Sequence, residues 1–233
     1  MVDIQEQKEF NLLSETKDIV LTNNLEKTVV KELDALFNGM LKESTTEPFT
    51  TIPTFGKIAA KRIHIVNYGS LKCGCKRKEV FGKIALLKND VVVLVDTFEN
   101  DNHQMIMQDL SETILTKNYE YNTLKSKEES KDKNFQYYGT TKIYDSVKKG
   151  YVLGQAINAC RDLVNAPYNY LNATDLANHA KALERLDNVT VEIINKPDIE
   201  KMNMGAFLGV NKGSSDEPKL IYVKYQGKDT FDD

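Results

Sequence analysis

A run of five consecutive apolar residues, 91–95, constrains the fold of this chain more than any other segment. A strand that is apolar on both faces must be covered on both sides, which is typical of a parallel sheet enclosed by helices. Short apolar runs predict two further strands, at 18–21 and 62–66. Apolar residues spaced three and four apart predict helices over 29–40, 76–87 and 103–116, and segment 44–53 is rich in turn residues. Because strands alternate with helices, the sequence predicts an α/β protein with a largely parallel or mixed sheet.

The longest predicted helix covers residues 144–164 and ends before Pro167, because the residue preceding a proline is pushed away from the helical region. It is long enough to link two domains. We therefore predict an N-terminal domain over 1–143, a linking helix over 144–165 and a second domain over 166–233. The second domain is expected to contain a helix over 174–186 with Thr174 as its N-cap, strands over 189–194, 206–210 and 220–225, and a short helix opened by Pro197.

Composition excludes several classes of protein. The formal net charge of −3 gives no basic footprint for nucleic acid, and 41% hydrophobic with 28% charged residues is ordinary for a globular protein. The longest apolar run is far shorter than the ~18 residues of a membrane span, and the first residues lack a signal peptide's basic and apolar regions. We therefore expect a cytoplasmic protein without a membrane partner. Three cysteines, an odd number, suit a reducing compartment in which thiols stay free.

Cys73, Cys75 and His64 offer the ligand types that zinc prefers, but no second Cys or His pair follows at finger-like spacing. The alternative interpretation is a pair of free thiols in the turn after a strand, with His64 facing solvent or hydrogen bonded. His103 and His179 have no Ser or Cys partner nearby in sequence, so the chain predicts no catalytic triad.

Glycines recur every four residues at Gly205, Gly209 and Gly213. The last of them lies in the segment Lys212-Gly213-Ser214-Ser215, which superficially resembles a phosphate loop. A phosphate loop needs its glycines before the lysine and hydroxyl, at the start of a helix. Here a proline and a strand follow, so we expect a structural loop between adjacent strands.

The acidic residues Asp229, Asp232 and Asp233 are hard ligands that suit divalent cations, yet a charged chain end is usually only solvated. The residues by themselves therefore predict a two-part α/β protein and assign no catalytic, metal or substrate-binding residue.

The segment Ala159-Cys160-Arg161-Asp162-Leu163-Val164-Asn165-Ala166-Pro167-Tyr168-Asn169-Tyr170-Leu171 resembles the signature that joins the two domains of the leucyl aminopeptidase, or cytosol aminopeptidase, family. The resemblance is specific over about residues 144–228. It departs at Tyr68-Gly69, where the family commonly has a Gly-Leu-Gly turn, and at Tyr168, where a second proline is common. Matching segments follow in the family's order at 174–177, 204–210, 212–214, 218–221 and 225–228, with weaker echoes at 119–121 and 125–127.

This resemblance implies an N-terminal macro-domain-like mixed sheet with flanking helices, a linking helix, and the first β-α units of a catalytic α/β domain. It further implies a hexamer that removes N-terminal residues from peptides with two divalent metals, manganese or zinc. The family's metal ligands lie in two motifs, Val-Gly-Lys-Gly-x-Thr-Phe-Asp-Ser-Gly-Gly and Asn-Thr-Asp-Ala-Glu-Gly-Arg, and neither is in this sequence. Thr230-Phe231-Asp232 resembles part of the first motif, but its flanks are missing, so no ligand is assigned to Asp232.

The sequence therefore suggests the N-terminal portion of a cytosolic aminopeptidase, inactive alone and exposing apolar surface where further strands would pack. Two alternatives stay open. One is a stand-alone macro-like module that binds a nucleotide-type ligand or DNA, which a salt-dependent DNA shift would support. The other is a structural or regulatory subunit of a mixed oligomer, which would co-purify with an active peptidase.

Overall fold

The computed structural model describes residues 2–6, 9–43, 47–99, 102–126, 133–139 and 141–227. The chain forms two compact units, Met1–Cys160 and Arg161–Asp233, hereafter unit 1 and unit 2. The acidic residues Asp229, Asp232 and Asp233, and most of the charged segment after Ser126, lie outside the described residues.

Unit 1 is built on a six-stranded sheet with the order β1-β6-β5-β2-β4-β3. The β3–β4 pair is antiparallel, whereas the other neighbouring pairs are parallel, so the predicted mixed sheet is confirmed. Its strands are β1 Val2–Glu6, β2 Asp18–Thr22, β3 Phe49–Pro53, β4 Arg62–Val66, β5 Val91–Leu94 and β6 Lys133–Tyr138. Its helices are α1 Thr28–Leu36, α2 Met40–Glu43, α3 Gly74–Ala85, α4 His103–Lys117 and α5 Thr141–Asn165, and 3-10 turns cover Tyr68–Lys72 and Val95–Phe98.

The apolar run at 91–95 contains β5, which is buried as predicted and lies in the interior of this sheet. Val91 and Val93 face a cluster that also contains side chains of α3, α4 and the start of α5, while Val92 and Leu94 face a second cluster that includes α1. All four β5 side chains are buried. Helices on both faces therefore remove from water a strand that has no polar face.

Three strands of unit 1 were absent from the sequence prediction. β3 lies inside segment 44–53, which was expected to be turns, and it pairs with β4 at the sheet edge. β3 shows little alternation of apolar and polar residues, because Ile52 is its one buried side chain. β1 and β6 pair with each other, and in β6 the buried positions are Phe135 and Tyr137. β1 and β3 are the edge strands of the sheet, whereas β6 lies between β1 and β5. Strands with few buried apolar residues are poorly revealed by a hydrophobic pattern, whether they lie at the edge or inside the sheet.

Unit 2 contains an antiparallel strand pair, β7 Val189–Asn195 and β8 Lys219–Tyr225. Its helices are α6 Ala173–Lys181, α7 Lys196–Lys201 and α8 Gly205–Asn211, with a 3-10 turn over Ala182–Arg185. Pro197 lies in the first turn of α7, as predicted. No helix in the described part of the chain has the combination of length and hydropathy that crossing a membrane requires.

Two predictions for unit 2 were wrong. The strand expected over 206–210 is helix α8, because a short apolar run fits a buried strand and a helix equally well. The loop at Lys212 therefore follows a helix and does not join adjacent strands. The N-cap of α6 is Asn172 and not Thr174. Its side chain accepts hydrogen bonds from the backbone N–H groups of Thr174 and Asp175, and Asp175 accepts one from the Asn172 N–H, which completes a capping box.

Candidate functional site

The carboxyl ends of the parallel strands in unit 1 are the place where open α/β sheets usually bind ligands. Several polar groups among the described residues at this end of the sheet pair with one another. The N–H of Thr22 donates to Oγ1 of Thr97 at 3.0 Å, and the N–H of Tyr68 donates to Oδ1 of Asn23 at 2.8 Å. Lys27 forms an ion pair with Glu99, and this hydrogen bond lowers the pKa of the Glu99 carboxyl. The polar groups named here are therefore engaged with one another.

A small cavity lies at the same edge, beside Tyr137 and Gly139. Its volume of about 10 Å³ is enough for roughly one water molecule and far too small for a nucleotide. A Cβ on Gly139 would lie 2.1 Å from Cγ2 of Val95, so only glycine fits where β6 leaves the sheet. Burial raises the pKa of the Tyr137 hydroxyl, which therefore stays neutral at physiological pH.

His64 lies in β4 and is 2% exposed, so of its two predicted roles it takes the hydrogen-bonded one. Its Nδ1 lies 2.9 Å from Oγ1 of Thr51, and its Nε2 lies 3.5 Å from the Asp18 carboxylate. Asp18 also accepts a hydrogen bond from the Asn89 side chain at 2.9 Å and pairs with Arg62 at 3.2 Å. Asp18 is the first residue of β2, so this buried cluster lies at the amino-terminal ends of the parallel strands, away from their carboxyl ends. We therefore assign it a structural role.

We expect the stability of unit 1 to fall as pH decreases from about 7.5 to 5.5, partly because of His64. Burial lowers the pKa of His64, more than the Asp18 charge raises it, and Arg62 lowers it further. The unfolded chain therefore binds more protons than the folded chain as pH falls through about 6.5, and stability present above that pH is lost below it. Urea unfolding of the wild type and of His64→Gln at several pH values measures this dependence.

The His64→Gln variant should show a shallower slope in this pH range and the same slope between pH 7.5 and 8.5, where histidine does not titrate. A residual slope is expected, because burial also lowers the pKa of His103, whose Nε2 lies 3.1 Å from the Val95 carbonyl oxygen. Identical slopes for the two proteins below pH 7.5 would contradict the prediction.

The structure does not assemble a metal site from the candidate ligands. Cys73 and Cys75 are exposed at the start of α3, whereas His64 is buried in the sheet. Within the part of the chain that the structure describes, no group of three or more His, Cys, Asp or Glu side chains could hold a metal ion. His179 lies exposed on α6.

Sequence reasoning missed a buried ion pair between α3 and α4. Nε of Arg77 donates to Oδ2 of Asp109 at 2.8 Å, and Nη1 donates to the Leu71 carbonyl oxygen at 3.1 Å. Both charged side chains lie among the apolar residues of their helices, which is the signal that could have revealed them. The pair is buried and joins the two helices, so we assign it to stability.

Unit 2 has a small core for its length. Among its described residues, the buried apolar side chains are Ala177, Val191 and Ile199, and Pro218 is buried as well. More than half of the side-chain surface is exposed at eight large apolar or aromatic residues: Val164, Tyr168, Tyr170, Leu186, Met202, Val210, Tyr222 and Tyr225. These exposed residues are spread over the α5–α6 connection, α8, β8 and the turns between them, so the elements of unit 2 bury few of their large side chains against one another.

The segment that carries the family resemblance forms the entry to unit 2. Helix α5 ends at Asn165, and the N–H groups of Tyr170 and Leu171 both donate to the Pro167 carbonyl oxygen, at 2.8 and 3.0 Å. The Tyr168 hydroxyl hydrogen bonds to the Asp216 carboxylate. These contacts shape the connection between α5 and α6, and none of them supplies a catalytic group.

Comparison with known proteins gives consistent matches. Residues 158–233 match the family model described as the catalytic domain of the cytosol aminopeptidase family. A probable cytosol aminopeptidase of Bacillus licheniformis is 31% identical over 228 residues, covering 87% of this chain and 46% of the relative. One from Bacillus subtilis is 35% identical over 225 residues, covering 87% of this chain and 45% of the relative.

The fold comparison agrees. The structure of a tomato leucine aminopeptidase mutant superposes with a TM-score of 0.72 and 17% identity, covering 99% of this chain and 51% of that one. The fold is therefore that of a leucine aminopeptidase over this region. The chain spans about half the length of the relatives that it matches.

Proposed function

We propose, from the confirmed resemblance of this chain to the cytosol aminopeptidase family, that it forms the N-terminal portion of a metal-dependent aminopeptidase. In this proposal residues 1–143 form the N-terminal domain, 144–165 the linking helix and 166–233 the start of the catalytic domain. The complete enzyme would act on peptides in the cytoplasm, as a hexamer with two manganese or zinc ions.

The observation that carries this proposal is the unfinished core of unit 2. Its buried apolar side chains are few for a stretch of this length, because a domain this small needs most of its apolar residues inside. The β7–β8 pair is also marginal alone, since two strands without a covering layer are rarely stable in water. Further polypeptide of the catalytic domain would cover the exposed side chains of β8, Tyr222 and Tyr225 among them.

The two metals of this family do not fit the residues described here. The described residues contain no cluster of three or more potential ligands. We therefore place the metal ligands of the proposed enzyme outside the described residues, and assign to the described part of this chain the linking helix and the first elements that support the catalytic domain.

The 233-residue chain is expected to release no leucine from leucyl p-nitroanilide when manganese or zinc is added, because the two-metal chemistry of peptide hydrolysis needs a ligand cluster and the described residues contain none. Fusion of this chain to the remaining half of the Bacillus subtilis relative should give a metal-dependent activity, with that half alone as the control. Hydrolysis by the unfused chain would contradict the prediction.

Amide hydrogen exchange tests separately whether unit 2 is unstable without further polypeptide. In the chain alone, the β7 and β8 amides should exchange much faster than the amides of β2 and β5, and the fusion should protect them. Equal protection of both units in the chain alone would show that unit 2 needs no cover, and the proposal would fail even if the fusion were active.

A second candidate function rests on the same exposed surface. A non-catalytic subunit could use the exposed side chains of unit 2 to bind a complete peptidase, and co-purification with an active peptidase tests this. Nucleotide or DNA binding has less support, because the cavity beside Gly139 holds roughly one water molecule and the formal net charge is −3.

A further inference from the structure

Two cysteines one residue apart occupy the start of helix α3. Cys73 is the N-cap residue, and Cys75 is the second residue of the twelve-residue helix. Both side chains are exposed. The family resemblance does not draw on either residue, so their chemistry is independent of the proposed peptidase function.

The surroundings of these cysteines favour negative charge. Lys72 and Lys76 flank the pair, and the first turn of α3 contains no acidic residue. The amide dipoles at a helix N-terminus add to this positive potential. The pKa of the Cys73 thiol is lowered, first by the backbone N–H of Lys76, then by that of Cys75 and by the Lys76 charge. A larger thiolate fraction makes a cysteine a faster nucleophile near neutral pH.

The two thiols are also close along the chain. A single residue, Gly74, separates Cys73, which is the N-cap in extended conformation, from Cys75 in the first turn of α3, and both side chains are exposed. The third cysteine, Cys160, is also exposed, but it lies on α5 without a neighbouring cysteine in sequence. The chain therefore has one paired and one isolated exposed thiol, which provides an internal comparison.

We propose that Cys73 and Cys75 form a dithiol that exchanges with low-molecular-weight disulfides, with Cys73 as the attacking residue and Cys75 as the resolving residue. The Cys73 thiolate attacks one sulfur of the disulfide RSSR, the S–S bond breaks, and the leaving thiolate takes a proton from water. Cys75 then loses its proton to water and attacks Cys73 Sγ, which expels the second thiolate. The protein dithiol is oxidised to one disulfide, and RSSR is reduced to two RSH.

Oxidised glutathione is the probe for this reaction. The reduced 233-residue chain is incubated with it, remaining thiols are alkylated, and peptide mass spectrometry follows each cysteine with time. We expect a Cys73–Cys75 disulfide in the wild type, and reaction at Cys73 about tenfold faster than at Cys160. Cys75→Ser should stop at a mixed disulfide on Cys73, and Cys73→Ser should lose the fast reaction.

Cys160→Ser is the matched control, and it should leave the rate of disulfide formation unchanged. Circular dichroism of each variant establishes that it has the wild-type fold. Equal reaction rates at Cys73 and Cys160 would overturn the proposal. So would a wild-type protein that accumulates glutathione on Cys73 without forming the Cys73–Cys75 disulfide, because Cys75 would then not act as a resolving residue.

Discussion

Replacement of Arg77 by methionine is expected to lower the free energy of unfolding of unit 1 by about 3–5 kcal/mol. The guanidinium is the ion-pair partner of Asp109, and both side chains are almost fully buried between α3 and α4. Methionine keeps the volume and removes the charge, so a carboxylate is left in a site that water hardly reaches. The hydrogen bond to the Leu71 carbonyl oxygen is lost as well.

Urea unfolding followed by far-ultraviolet circular dichroism measures this loss of stability. Two further variants show whether the loss comes from the unpaired buried charge. The double variant Arg77→Met/Asp109→Leu should recover most of the stability, because removal of both charges leaves none unpaired. Lys78→Met removes the exposed partner of Glu112, 3.4 Å away on the same two helices, and should cost less than about 1 kcal/mol. If Arg77→Met costs no more than Lys78→Met, the buried pair does not hold the helices together.

Gly150→Ala is expected to destabilise unit 1 by about 1–3 kcal/mol, even though alanine is the better helix former. A Cβ at this position of α5 would lie 2.1 Å from the backbone carbonyl oxygen of Gln108 in α4. A backbone atom cannot rotate away as a side chain can, so the two helices would have to separate. The same urea titration measures the change.

Gly209→Ala is the matched control for this substitution. Gly209 is also a helical glycine, in α8, and a Cβ there would meet no atom within 4 Å. That change should leave stability unaltered or raise it by up to about 1 kcal/mol. If Gly150→Ala behaves in the same way as Gly209→Ala, α4 and α5 do not pack as closely as the structure shows.

Periodicity predicted the elements that have strong patterns. Residues 91–95 were expected to form a buried strand and became β5, and the apolar stripe over 144–164 became the greater part of α5. β6 carries a weaker signal, in which only Phe135 and Tyr137 alternate, and it was missed. The run at 206–210 was assigned to a strand although it is a helix, because four apolar residues and a glycine over five positions fit both periods.

The candidate site was harder to predict, because a site depends on contacts between residues that are distant in sequence. His64 was one of three candidate zinc ligands, yet the fold buries it beside Asp18, 46 residues earlier in the numbering, and leaves the two cysteines at the surface. The buried Arg77–Asp109 pair joins residues 32 apart. A hydrophobic pattern marks which positions are inside but does not identify their partners.

The sequence by itself determined the α/β class, the buried central strand and the resemblance to the cytosol aminopeptidase family, since each of these follows from local residue order. Only the tertiary structure decided which strands are neighbours in the sheet, which charges pair between helices, and how closely α5 approaches α4 at Gly150. It also decided that unit 2 buries only a few of its large apolar side chains. These features depend on packing between segments that are far apart along the chain. A local sequence pattern does not show which of these segments bury one another's side chains.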